Sequence, residues 1–193
     1  MKRFRKVLIV LLAILVPVSI GFGFNFFSSK SSDSAENQAM TVAGTLTVNK
    51  ISEAQNLVPG DKICNGVTMN ITSSAVSLLR VKVDIYCADS TTAETDITPI
   101  DNPGDNWLKG NDGYYYYMQG VKNGDIVKLA EEGIYFNGLN DNVDMNKYQG
   151  KKIKVVANAE LVQAKHGVFA KKWGLDSGEI YTKLLAVSEA QSK

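Results

Sequence analysis

Across residues 79–87, Leu79-Arg80-Val81-Lys82-Val83-Asp84-Ile85-Tyr86-Cys87, the odd positions are apolar and the even ones charged or amphipathic. Successive side chains of a β-strand point to opposite faces, so a period of two marks a strand with one face in a core. Arg80, Lys82 and Asp84 are then expected to face water. The same alternation runs through Val67, Met69 and Ile71, and through Ile153, Val155, Ala157, Ala159 and Leu161. It also sets Val42, Gly44, Leu46 and Val48 on one face of a strand whose other face is Thr41, Ala43, Thr45 and Thr47. Thr72-Ser73-Ser74 separates two strands, while Pro59-Gly60-Asp61 and Lys122-Asn123-Gly124-Asp125 are turns, because Pro presets φ and Gly or Asn accepts a positive one. Strands at this spacing predict an all-β fold, an antiparallel β-sandwich or jelly roll with long loops. Short helices are expected only within 164–173 and 179–192. At 193 residues the chain holds one such domain, over residues 40–193.

The N-terminus is of a different kind. Lys2, Arg3, Arg5 and Lys6 precede an apolar run over residues 7–27 that carries no charge. A basic start, an apolar stretch and then small residues form a secretory signal peptide, here 1–23, with Gly21 and Gly23 at the −3 and −1 positions and cleavage after Gly23. The rival reading is an uncleaved anchor, since the run is just long enough to span a bilayer. In both readings the membrane is met only through the leader and the domain lies outside the cytoplasm, secreted or at the cell surface. Residues 24–39, polar and small through most of their length, read as a flexible linker.

Charge and composition exclude much. The 21 basic and 20 acidic residues nearly balance, and four of the basic ones sit in the leader, so the domain is mildly acidic and suits no nucleic acid. The single histidine, His166, has no histidine partner for a zinc site, no His-Glu-x-x-His is present, and no Gly-x-Ser-x-Gly elbow or phosphate loop occurs. Asp101, Asp105 and Asp112, and separately Asp141 and Asp144, lack the spacing of a calcium loop and read as solvated turns. No catalytic residue, cofactor or metal is expected, and the chain does not read as an enzyme.

Three features remain. Two cysteines in an exported protein suggest one disulfide, with two reduced core thiols as the alternative. If Val67 pairs with Ile85 and Met69 with Val83, one extra residue at Asn65-Gly66 brings Cys64 opposite Cys87, which predicts a Cys64–Cys87 bridge beside a β-bulge. Residues 88–113 form a long acidic segment, either functional or a surface excursion pinned by Trp107. Tyr114, Tyr115, Tyr116 and Tyr117 cannot all point one way in a strand; two form an exposed interface, or all four pack, two in the core and two under the long segment.

The order of these pieces resembles a known family. Ala43-Gly44-Thr45-Leu46, Asn56-Leu57-Val58-Pro59-Gly60-Asp61, the Asn70–Ser74 turn, Arg80-Val81-Lys82-Val83 and the four tyrosines come first. Gly120-Val121-Lys122-Asn123-Gly124-Asp125, Tyr148-Gln149-Gly150-Lys151-Lys152-Ile153, Ala159-Glu160-Leu161-Val162-Gln163-Ala164 and Trp173-Gly174 follow. Together they resemble the TasA/camelysin family of exported proteins, whose leaders are processed by a SipW-type signal peptidase. The resemblance covers nearly the whole chain. It implies a jelly roll and a subunit of extracellular biofilm fibres, self-associating or joining related exported subunits as one subunit's N-terminal strand fills a groove in the next. The cysteine pair is not part of that pattern. Val42, Gly44, Leu46 and Val48 would then be the assembly strand, with folding back into the subunit's own sheet as the alternative. A monomeric cell-surface module for a wall polymer or protein ligand is the second functional reading.

Overall fold

The computed structural model describes residues 29–30, 41–50, 58–87, 90–94, 100, 102–137, 144–148 and 150–191. The expected leader with its cleavage after Gly23, and residues Asp101 and Asp141, lie outside them. Among the described residues no helix is long and apolar enough to cross a membrane.

Among the described residues nine strands form two antiparallel sheets, the all-β sandwich that the alternation predicts. The first sheet runs β1 (Ser29–Lys30), β2 (Thr41–Lys50), β3 (Lys62–Ser73) and β7 (Ile126–Leu129), and β8 (Ile134–Tyr135) also pairs with β3. The second runs β5 (Trp107–Lys109), β6 (Tyr114–Val121), β4 (Ser77–Cys87) and β9 (Ile153–Gln163). Ser29–Lys30 thus departs from the expected linker, because a strand edge binds backbone and needs no apolar pattern in its partner.

The expected pairing of Val67 with Ile85 and Met69 with Val83 is not what forms. Val67 and Met69 pair with Val48 and Leu46 on one side and with Leu129 and Val127 on the other. β3 and β4 belong to different sheets, because the chain turns a corner between them instead of a hairpin. Ser73 and Ser77, both buried, bring their hydroxyls to 2.9 Å of each other and to 2.7 and 3.1 Å of the Ala75 carbonyl, so one hydroxyl donates to that carbonyl and the other to its fellow serine or to the same carbonyl. These bonds supply partners that a ladder would otherwise give.

The bulge does occur at Asn65-Gly66, but against β2: Val48 pairs with Val67 and Lys50 with Cys64. Gly66 has φ +79°, and a Cβ there would stand 2.2 Å from the Ala130 carbonyl oxygen. Only glycine fits, on both grounds. The two turns form as their chemistry dictates. The Asp61 amide donates to the Val58 carbonyl at 3.0 Å, and the Asp125 amide to the Lys122 carbonyl at 3.1 Å.

Between the sheets, Val42, Leu46, Val67, Met69 and Ile71 meet Leu79, Val81, Val83, Ile85, Ala157, Ala159 and Leu161. A second apolar cluster lies on the outer face of the second sheet. There α1 (Val168–Trp173) and α2 (Gly178–Ala190), close to the expected helical stretches, cover Leu78, Tyr116 and Val162 with Phe169, Trp173 and Leu184. The fold is therefore two sheets and a thin helical layer on one side.

Candidate assembly strand and aromatic cluster

β2 places the predicted assembly residues. Its alternation aims Val42, Gly44 and Leu46 into the core, and Val48 packs against it half-buried. They sit opposite Ser73, Ile71, Met69 and Val67 of β3. β2 thus folds into its own sheet, the alternative that the sequence leaves open. On its other side β1 pairs only at Val42 and Thr41, while β9 of the second sheet runs close by without pairing. Among the described residues no strand pairs with residues 43–50 there. An edge strand of this length with no proline and no outward charge in its middle is a template for another strand.

The four tyrosines of β6 divide by alternation. Tyr115 enters the core between the sheets, and Tyr117 packs at its margin against Trp107, with ring centroids 5.0 Å apart. Tyr114 and Tyr116 point to the other side, into the helical layer. The exposed aromatic interface is therefore not what forms. The packed alternative is, with two rings under the helices and not under the 88–113 segment. Part of that segment is β5, a strand anchored by Trp107, whose indole N–H donates to the Lys128 carbonyl at 2.8 Å.

Arg80, expected in water, is buried, because the outward face of β4 at that point lies beneath α1. Its guanidinium carbon stands 3.9 Å from the Tyr114 ring centroid and 5.1 Å from that of Trp173. Nε and Nη2 both reach Glu160 Oε2, at 3.2 and 2.9 Å, and Nη1 reaches the Tyr116 hydroxyl at 3.2 Å. Tyr116 in turn donates to Asp112 Oδ2 at 2.7 Å, and Tyr114 donates to Glu160 Oε1 at 3.1 Å. Burial works against the Arg80 charge, but its bonds to Tyr116 and Glu160 outweigh that and hold its pKa above the ordinary value. Burial, with the bond to Asp112, pushes the Tyr116 hydroxyl up to about 12. Such a network fixes a helical layer in register, although the buried Trp173 indole N–H beside it has no partner among the described residues. One signal of it was in the sequence. Leu78-Leu79 puts an apolar residue on each face of β4, which a strand with one wet face does not do.

Cys64 and Cys87 are free thiols, both buried in the core on strands of opposite sheets. The expected pairing of β3 with β4 that would join them does not form, since β3 pairs with β2, β7 and β8 and β4 with β6 and β9. Burial pushes both thiols above their ordinary pKa, so neither is a ready nucleophile. Among the described residues no His, Cys, Asp and Glu side chains gather into a metal site. His166 is exposed, in a 3-10 turn before α1, with φ +65°. In comparisons with known proteins, no family model matches the chain, and neither a curated protein nor a solved structure does.

Proposed function

We propose that the chain is an exported structural subunit of an extracellular or cell-surface biofilm matrix fibre, a jelly-roll sandwich without catalysis. Its leader would be removed by a SipW-type signal peptidase, as the resemblance to the TasA/camelysin family implies. One observation carries the assembly step: β2 is a ten-residue strand near the N-terminus whose outer side is paired at only two positions. If β2 leaves its sheet and enters the same slot in a neighbour, Val42, Gly44, Leu46 and Val48 regain the contacts they had. Exchange of an identical element costs little, and a head-to-tail exchange that does not close grows into a fibre. Main-chain hydrogen bonds hold the inserted strand and alternate side chains fix its register. The monomeric binding module is the other outcome of the test.

The test is a lock. Thr45 and Asn70 stand directly opposite each other on β2 and β3, on the outer face, at a distance a cross-strand disulfide can span. Negative-stain microscopy of Thr45→Cys/Asn70→Cys should show fibres when reduced and folded, unassembled subunits when oxidised. Fibres from the oxidised protein would end the strand-exchange reading. Folded monomers of the unmodified chain at every concentration would favour the binding module.

A further inference from the structure

Where β2, β3 and β7 lie side by side, the outer face of the first sheet has no cover among the described residues and little charge. Three cross-strand rows make it up: Ala43 beside Thr72, then Thr45, Asn70 and Ile126, then Thr47, Thr68 and Lys128. Thr45, Asn70, Thr72 and Ile126 are exposed, and Ile126 is 65% so. Asn49 closes the patch, its amide donating to the Thr68 hydroxyl at 2.8 Å. The only charge in these rows is Lys128, at the rim and paired with Glu131. Among the described residues no element packs on this face. The outward positions of β4 and β9, by contrast, include Arg80, Lys82, Asp84, Lys154 and Glu160.

We propose that this face binds a neutral, hydroxyl-rich polysaccharide. Charge selects the ligand class. A surface mostly of threonine and asparagine offers a phosphate or a uronic acid only the rim cation Lys128, already paired with Glu131, and offers no anion within its rows to a basic polymer. Each of its threonine and asparagine side chains both donates and accepts hydrogen bonds, as sugar hydroxyls do. Ile126, apolar and exposed within one row, offers a contact for the C–H face of a sugar ring. Size selects polymer over second copy. With strands about 4.8 Å apart and about 3.3 Å per residue along each, the patch covers on the order of 300 Å². A stable protein interface buries roughly 800 Å² on each partner, so a second copy seated here would not hold. A polymer chain laid across the rows repeats its sugars and gains from many weak contacts. The face is preformed by strand pairing, so its backbone loses little freedom on binding. It is distinct from the open side of β2, and the proposal does not depend on strand exchange.

Affinity electrophoresis of the full chain tests it, in native gels cast with hydroxyethyl cellulose, with carboxymethyl cellulose, or with neither. The proposal expects retardation by the neutral polymer that exceeds retardation by the charged one. Thr45→Lys/Asn70→Lys should reduce the retardation at least tenfold in apparent affinity while the melting temperature stays in place. Should that pair not fold, Thr45→Val/Thr72→Val removes hydroxyls at constant shape and should reduce retardation several-fold. Free migration of the unmodified chain in the neutral gel would overturn the proposal. So would equal retardation of the parent and a folded variant, or a dimer in sedimentation that the variant dissociates, which would mark the face as a self-contact.

Discussion

The two outer faces of this sandwich are built from the same alternation and end differently. On the second sheet the outward residues Leu78, Tyr116 and Val162 are apolar or aromatic, and two helices close over them. On the first, Ala43, Thr45, Thr47, Thr68, Asn70 and Thr72 are small or polar, and nothing among the described residues covers them. A covered face must satisfy whatever polar groups it buries, and Arg80 shows the consequence: its charge lies under the helices with Glu160, Asp112 and Tyr116 around it. The bare face has no such obligation, since water serves its hydroxyls. Stability therefore concentrates on one side and freedom to change on the other.

The sharpest way to break this comparison is to remove the cover's anchor. Phe169 is fully buried, packed with Trp173 at 6.3 Å and Tyr181 at 5.8 Å. Phe169→Ala should destabilise by about 4 kcal/mol, read as a lower denaturant midpoint, as large-to-small core changes do. Removing the buried charge comes next. Arg80→Ala leaves Glu160 and Asp112 without their cation and should lose about 3 kcal/mol, because breaking a buried pair strands its partners. The partners here are partly open to water, which sets the effect at the low end of that range. Arg80→Met, which fills the space between Tyr114 and Trp173 but carries no charge, should recover part of the loss. A midpoint for Arg80→Ala equal to the parent's would mean that the cluster does not hold the helices.

The inner faces were legible in the sequence and the outer ones were not. Period two marks which residues share a face, and it placed Val42, Leu46, Val67, Met69, Val83 and Ile85 in the core without reference to which strand pairs with which. It does not say whether a second face is wet. Arg80, Lys82 and Asp84 look alike as outward residues of one strand, yet only Arg80 lies where a helix from far along the chain arrives. Pairing was hidden for a related reason. A turn of small polar residues, Thr72-Ser73-Ser74, suits both a hairpin and a corner, and serine hydroxyls bonded across Ala75 decide for the corner. That choice separates β3 from β4 and leaves Cys64 and Cys87 unjoined. The Asn65-Gly66 bulge follows from its chemistry, but it forms against β2 and not against β4.

Alkali should distinguish the faces more gently. Tyr116 titrates near 10 when unfolded and at about 12 in the fold, where burial and the bond to Asp112 favour the neutral hydroxyl. With the folded value raised, the full contribution is present below pH 10 and declines as pH rises toward 12, since the unfolded chain gives up its proton first. The decline attributable to this group should be about 2 kcal/mol across that window. Tyr116→Phe should flatten that part of the profile and lower stability at neutral pH by about 1 kcal/mol, the usual worth of a buried hydroxyl's hydrogen bonds. Melting temperatures of both proteins between pH 9 and 12 read the difference. Parallel profiles would mean that the hydroxyl is not shielded.

The smallest effect belongs to the bare face. Thr72 is exposed on β3 opposite Ala43, and the structure gives its side chain no partner to lose. Thr72→Val keeps the β-branch and exchanges a hydroxyl in water for a methyl, so folding stability should move by less than about 0.5 kcal/mol. Leu78→Ala, the corresponding outward change on the covered sheet, should cost about 3 kcal/mol, because its side chain is fully buried under the helices. The two sites are outward-facing positions of the sandwich and differ in what lies above them. A Thr72→Val loss approaching that of Leu78→Ala would therefore mean that the first sheet is covered in solution as well.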